Sequence, residues 1–270
     1  LKQKTEGNIM KLKKVMALTM AGAMAATTLT ACGSGSSTTE TTKAAETTAA
    51  AAADTTAAAA ADNGSSDAET VLQVAFENSI SEPVGQGWEK AQEIIKEKSG
   101  GKMAIEIYPD SQLGDKSSLI DSMLLGENVC TLADGAFYAD YGVPDFCIVF
   151  GPFLFDSWDQ VWKLVDSAWY KEQCDKLEEK GLKIIASNWI YGERHTLTNV
   201  PVNTVDDLKG LKIRVPSNEI QSKGFDVLGA TSTGMALGDV YQALQTKTID
   251  GAENPLATLY GRKLHEEAKY

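Results

Sequence analysis

The chain has 270 residues, with 37 Asp and Glu against 25 Lys and Arg and a formal net charge of −12. That acidic balance excludes nucleic-acid binding driven by phosphate neutralisation, and it argues against a folded part lying flat on anionic lipid. The length accommodates one large domain or two modest ones.

Residues 10–32 read as a leader. Met10 is the better start, Lys11, Lys13 and Lys14 supply the charge, and an apolar run follows from Val15 to Ala26. The run is too short and too rich in Ala and Thr for a membrane span. It ends in Leu29-Thr30-Ala31-Cys32, which resembles the bacterial lipobox, so lipid attachment is expected on Cys32. Residues 33–70, built from small and polar residues, predict a disordered tether with too little apolar surface to offset ordering. Cys130, Cys147 and Cys174 sit in no metal spacing and read as buried free thiols, with a Cys130–Cys147 bridge left open.

Globular patterning begins at Val71. A strand is predicted over Val71–Phe76 and a helix over Pro83–Lys98, stopped by Gly100-Gly101. Met103, Ile105 and Ile107 alternate as in a strand, and Asp115 can cap a helix carrying Leu119, Ile120, Met123 and Leu124. Val129–Ala133 reads as a short strand, 157–180 as one long amphipathic helix, and Leu182–Trp189 as a strand. Thr204–Lys209 reads as a short capped helix and Leu211–Val215 as a strand broken by Pro216. Helices follow over 217–228 and 238–245. Alternating strands and helices predict an α/β protein with mainly parallel sheets and ligands at the strand ends.

Three stretches carry candidate chemistry. Arg194, in Tyr191-Gly192-Glu193-Arg194-His195, falls in a loop or at a strand start. Lys212 and Arg214 share one face of their strand, opposite Leu211, Ile213 and Val215. Ile249-Asp250-Gly251-Ala252-Glu253-Asn254-Pro255 is a Gly/Pro-bracketed segment with polar groups between. Two arginines and an Asn amide suit an anion, because the planar guanidinium fits a carboxylate bidentately. The pattern alone equally allows a solvated strand face at Arg214, a local Glu193–Arg194 pair, and ordinary Asp-Gly and Asn-Pro turns. His195 and His265 stand outside any metal or catalytic spacing and no GxSxG elbow occurs, so no enzyme, cofactor or metal is expected.

Four motifs in order supply a resemblance: Tyr108-Pro109 with Ser111-Gln112-Leu113-Gly114-Asp115, Asp207-Leu208-Lys209-Gly210-Leu211-Lys212-Ile213-Arg214-Val215-Pro216, Val240-Tyr241-Gln242-Ala243-Leu244-Gln245-Thr246, and Asp250-Gly251-Ala252-Glu253-Asn254-Pro255. Together they resemble the DctP-like solute-binding proteins of TRAP transporters (tripartite ATP-independent periplasmic transporters). The resemblance implies a bilobal periplasmic-binding-protein-like fold of type II, with lobe I over 71–190 and lobe II over 191–270. It implies a small organic acid, a C4-dicarboxylate or a sugar acid, held by Arg214 through its carboxylate, with Arg194 and Asn254 beside it. Asp134, Glu77 and Asp115 are weaker carry-overs near the cleft. The implied partners are the ligand, the membrane permease subunits, and the outer face of the membrane through Cys32. Three departures accompany it. Glu77-Asn78 stands at a variable family position that often touches the far end of the ligand. Gly234-Met235-Ala236-Leu237 stands where members often have Pro-Met-x-Phe, which removes an expected aromatic wall. Members also continue past the stretch matching Leu264–Tyr270, so the second lobe is expected to be partial. A surface lipoprotein that senses a ligand or binds a protein partner is the alternative.

Overall fold

A computed structural model describes residues 67–270. The expected leader, the lipidation residue Cys32 and positions 33–66 of the tether lie outside the described residues.

The first sheet is wholly parallel, in the order β2-β1-β3, from β1 (Thr70–Ala75), β2 (Met103–Tyr108) and β3 (Val129–Cys130). Helix α1 (Pro83–Lys98) links β1 to β2. It opens on a proline, whose missing N–H would have no partner in a first turn. It closes before Gly100 and Gly101, whose φ of 63° and 83° suits residues without a Cβ. As the central strand, β1 is buried on both faces. Val74 packs with Phe76, Trp88, Ile105 and Ile107 on one side, and Ala75 with Leu119 and Val129 on the other. Helix α2 (Lys116–Leu124) starts where expected, with the Asp115 carboxylate accepting from the Ser118 amide at 2.8 Å.

Strand β3 is shorter than the 129–133 expected, since only Val129 and Cys130 pair with β1. The chain then turns into α3 (Gly135–Asp140), capped by Asp134, and a 3₁₀ segment over Pro144–Phe150. The single helix expected over 157–180 is two helices, α4 (Trp158–Val165) and α5 (Ala168–Glu179). The cause is Ser167. Its hydroxyl donates to the Leu164 carbonyl at 2.6 Å and accepts from the Tyr170 amide at 3.1 Å, ending one helix and capping the next.

Leu182–Trp189 does not form the expected strand. It is irregular, with Leu182 buried, Ile184 packed on the Leu177 cluster, and the Trp189 ring 4.7 Å from that of Trp88 at a tilt of 33°. No backbone group from Lys183 to Glu193 pairs with another backbone group among the described residues. Alternating side chains encode which face is buried; a ladder also needs a neighbouring strand.

The second sheet runs β4-β7-β5-β6, from β4 (Arg194–Thr198), β5 (Lys212–Val215), β6 (Thr231–Gly234) and β7 (Gly251–Pro255). Strand β5 is parallel to β6 and β7, and β4 is antiparallel to β7. Helices α6 (Glu219–Val227), α7 (Val240–Gln245) and α8 (Leu256–Gly261) accompany it. The α/β architecture with mainly parallel sheets is therefore as expected. The segment read as a bracketed turn, Gly251–Pro255, is instead a buried interior strand. Asp250 ties it to β5, accepting from the Lys212 amide at 2.9 Å and donating its own amide to the Lys212 carbonyl at 2.8 Å.

Gly251 fixes how closely β4 and β7 approach. A Cβ there would stand 2.5 Å from the Leu197 carbonyl oxygen and 2.8 Å from the Thr198 methyl. Gly251→Ala should therefore cost about 1–3 kcal/mol by overpacking. In urea unfolding the midpoint should fall with an unchanged slope; an unchanged midpoint would show that the strands separate freely.

Candidate functional site

Parallel strands deliver their carboxyl ends to one edge of a sheet, where backbone and side chains are free to meet a ligand. Here β1 ends into Glu77 and Asn78, β5 ends at Arg214-Val215-Pro216, and β7 ends at Asn254-Pro255. Because β4 is antiparallel to β7, its first residue, Arg194, reaches the same edge, opposite Pro255. A small enclosed void forms there. Glu77, Asn78, Lys116, Asp134, Tyr191, Arg194, Arg214 and Asn254 are among its walls. Its volume of about 20 Å³ is room for roughly one water molecule.

Arg214 is the principal surprise for a reading of solvated alternation. Lys212 on the same strand is exposed, but Arg214 is only 2% exposed. Its Nε and Nη2 donate to the Met235 carbonyl at 2.9 and 2.6 Å, while Nη1 is fully buried without a partner. No described carboxylate lies within ion-pair distance of it. Burial pulls the guanidinium down to about 10, against the opposing charges of Glu77 and Glu253. It therefore remains a cation at neutral pH, desolvated and incompletely bonded.

Arg194 is differently placed. It pairs with Glu253 rather than Glu193: Nε donates to one carboxylate oxygen and Nη2 to the other at 2.6 Å. Burial alone would lower this guanidinium, but the hydrogen bond and charge of Glu253 outweigh it and hold it above its ordinary value. Gln221 donates to the same carboxylate at 3.0 Å, and its own amide is held by the Asn218 cap at 3.1 Å. The register explains the meeting. Thr196 lies opposite Glu253, so Arg194 and Glu253 are diagonal neighbours on one face, whereas Asn254 falls on the face of Arg214, which lies opposite Ala252. Asn254 accepts from Arg194 Nη2 at 3.4 Å, and its Nδ2 is buried without a partner.

The remaining residues named from sequence divide. Glu77 reaches the void with one oxygen on the Leu237 amide at 2.9 Å. Asp134 reaches it with one oxygen on the Ala136 amide at 3.0 Å. Asp115 caps α2 and does not line the void. Sequence reasoning did not single out Glu253, Gln221 or Lys116; Asn78 came up only beside Glu77 at a variable family position, and Tyr191 only as part of the stretch around Arg194. Lys116 lies 4.0 Å from Asp134 and 4.5 Å over the Phe137 ring. Asn78 Nδ2 lies within hydrogen-bond distance of Glu82 at 2.8 Å, Tyr191 at 3.0 Å and Thr258 at 3.2 Å, sharing its two protons among them and binding the end of β1 to α8. Glu253 was within reach of sequence reasoning, since Gly251–Pro255 read as a strand puts an acid across from an arginine. A second cavity of about 300 Å³, with Arg262 ion-paired to Asp110 at 3.0 Å in its wall, contains none of the expected site residues. Among the described residues no group of His, Cys, Asp and Glu is arranged to hold a metal ion. Cys130, Cys147 and Cys174 are free and half-buried, and burial pushes the Cys130 thiol up to about 11.

Residues 74–270 match the profile of the bacterial extracellular solute-binding proteins, family 7 (DctP). The chain is 32% identical over 188 residues to the C4-dicarboxylate-binding periplasmic protein DctP of Rhodobacter capsulatus, covering 70% of this chain and 56% of that one. It is 30% identical over 210 residues to the sialic acid-binding periplasmic protein SiaP of Vibrio cholerae, covering 76% and 64%. It also resembles the crystal structure of a TRAP periplasmic solute-binding protein from Ochrobacterium anthropi with bound L-fuconate, at 42% identity and a TM-score of 0.73, over 74% of this chain and 66% of the other. The chain thus spans less than two thirds of the length of these proteins. Matched across nearly all of its described residues, it belongs to family 7 of the bacterial extracellular solute-binding proteins.

Proposed function

We propose that this chain is the extracytoplasmic receptor of a TRAP transporter, capturing a small organic acid and passing it to membrane permease subunits. The observation that carries the reading is Arg214. A cation this deeply desolvated is costly unless paired, and its free Nη1 beside the free Nδ2 of Asn254 presents two donors into one void. A ligand carboxylate supplies the missing charge and acceptors. The relatives above are named for C4-dicarboxylates, sialic acid and L-fuconate, which share that group.

In this reading lobe I (71–190) and lobe II (191–270) open to admit the acid and close around it. Arg214 and Asn254 bind the carboxylate. Arg194, neutralised by Glu253, shapes the pocket beside it. Closure is driven only if the ligand prefers the closed form, which contacts from both sheets provide. Lipid on Cys32 and the tether of 33–70 would hold the receptor near the permease; Leu29-Thr30-Ala31-Cys32 and the composition of the tether support this.

A thermal-shift screen against mono- and dicarboxylates tests the reading. Ligand at about 100 times its Kd should stabilise the protein by roughly 2.7 kcal/mol. Arg214→Ala should abolish the shift and Arg214→Lys, which keeps charge without the planar fork, should be intermediate. Wild-type affinity in Arg214→Ala would remove Arg214 from the site.

Glu253 is a positioning residue. Glu253→Ala leaves Arg194 buried and unpaired, so it should cost about 3 kcal/mol of unfolding free energy and weaken the acid. Joint replacement, Arg194→Met with Glu253→Leu, should restore most of the stability but not the affinity, as read by denaturant unfolding beside ligand titration. Recovery of both would make the pair purely structural.

A further inference from the structure

We infer that the site selects an acid with a single carboxylate and a hydroxylated body over a dicarboxylate of similar size. The inference rests on the proposed carboxylate-binding reading and concerns what the rest of the ligand must be.

The walls of the void carry different groups on different elements. The fully buried unpartnered donors are Arg214 Nη1 and Asn254 Nδ2, both from the second sheet. At the start of α2 the Lys116 ammonium is a further donor, 4.0 Å from Asp134. The side chains that β1 and α3 bring up carry spare acceptors. Glu77 commits one oxygen to the Leu237 amide, and its other oxygen has no hydrogen-bond partner among the described residues. Asp134 commits one oxygen to the Ala136 amide, and its other stands 4.0 Å from the Lys116 ammonium, beyond hydrogen-bond length. Asn78 spends its Nδ2 on Glu82, Tyr191 and Thr258, leaving its carbonyl oxygen. A carboxylate satisfies the first set. The second set calls for O–H donors, and a hydroxyl supplies them.

Charge gives the same answer. The cations Lys116, Arg194 and Arg214 face the carboxylates Asp134, Glu253 and Glu77. Lys116 is turned to Asp134 and the Phe137 ring, and Arg194 is closed by Glu253. That leaves Arg214 to neutralise one ligand charge. A second carboxylate would lie against Glu77, or against Asp134, where the cation at hand is Lys116, which already offsets Asp134 from 4.0 Å, so it would be left without a full counter-charge. Fixed backbone amides hold both acids in place, so neither can swing away.

Isothermal titration of the full chain with six-carbon aldonates (gluconate, galactonate, gulonate, mannonate) and with succinate and fumarate tests this. The best aldonate should bind at least about 100-fold more tightly than either dicarboxylate, since unpaired buried polar groups discriminate strongly. Glu77→Gln and Asp134→Asn preserve the backbone contacts, and Asn caps a helix as well as Asp. Each should narrow that ratio at least about tenfold, with succinate gaining and the aldonate losing. Succinate binding as tightly as every aldonate, or a ratio moved by neither variant, overturns the selectivity. Binding of none of these acids by a cooperatively melting protein overturns the carboxylate reading itself, and the selectivity with it.

Discussion

A guanidinium held almost entirely out of water, without a carboxylate beside it, is the constraint around which this molecule is arranged. Arg214 gains two hydrogen bonds from one carbonyl, Met235, and only distant help from Glu77 and Glu253. A protein optimised for stability alone would place an apolar side chain here, as neighbouring Ile213 and Val215 show, both fully buried. Keeping the charge sacrifices stability for a group that a ligand can complete. Strand β5 is the place where this is tolerable. It lies inside its sheet between β6 and β7, so its backbone is paired on both edges and the Cα of Arg214 is held in place.

The second arginine shows the opposite solution. Arg194 is neutralised through two hydrogen bonds by Glu253, which Gln221 also holds, and Gln221 is fixed by the Asn218 cap of α6. The chain of contacts runs from a helix cap to a strand start, so Arg194 is oriented before any ligand arrives. Preorganised polar groups bind more tightly because less ordering remains to be done on association. The two arginines are therefore in different states: Arg214 keeps a buried nitrogen without a partner, and Arg194 is paired with Glu253; under the proposed function the first would attract the acid and the second would shape its surroundings.

The sequence made the apolar scaffold legible and obscured the polar one. Helix α1 could be read to its ends because Pro83 and the Gly100-Gly101 pair are punctuation, and β2 because Met103, Ile105 and Ile107 alternate. Ser167 was hidden inside an amphipathic stripe whose periodicity continues across the break, although a serine that bonds both turns ends a helix. Strands β6 and β7, with Thr231-Ser232-Thr233-Gly234 and Gly251-Ala252-Glu253-Asn254-Pro255, carry almost no apolar side chain, so neither shows a strand pattern, and Asp250-Gly251 and Asn254-Pro255 equally suit turns. They are strands because their sheet surrounds them. The burial of Arg214 was unreadable for the same reason: alternation distinguishes two faces, but what covers a face comes from loops distant in sequence, here 235–237 and Glu77. Shared family motifs singled out Arg214, Arg194 and Asn254, which the fold brings to one strand edge. They also singled out Asp115, which the fold uses as a helix cap.

In the proposed receptor, closure and binding would be joined in the same side chains. Glu77 extends from the end of β1, and one of its oxygens takes the Leu237 amide from the loop after β6, while the other remains beside the void. Asn78, the next residue, ties β1 to Tyr191 and to Thr258 on α8. Asp140 accepts from the Glu219 amide at 3.1 Å, and Arg262 pairs with Asp110, so the two sheets are bridged at several points around the site. The Asp140–Glu219 and Asp110–Arg262 bridges are polar and exposed, the kind of contact that forms and breaks at modest cost, whereas the bond from Asn78 to Thr258 is buried. The void of about 20 Å³ is smaller than an acid of four or more carbons, so in the proposed receptor some of these contacts would part to admit one. A ligand that bonds Glu77 on one side and Arg214 on the other replaces water at both and adds a bridge of its own. The free energy that favours the closed arrangement is then the same free energy that holds the acid, and a ligand too short to touch both would bind one sheet without closing the site.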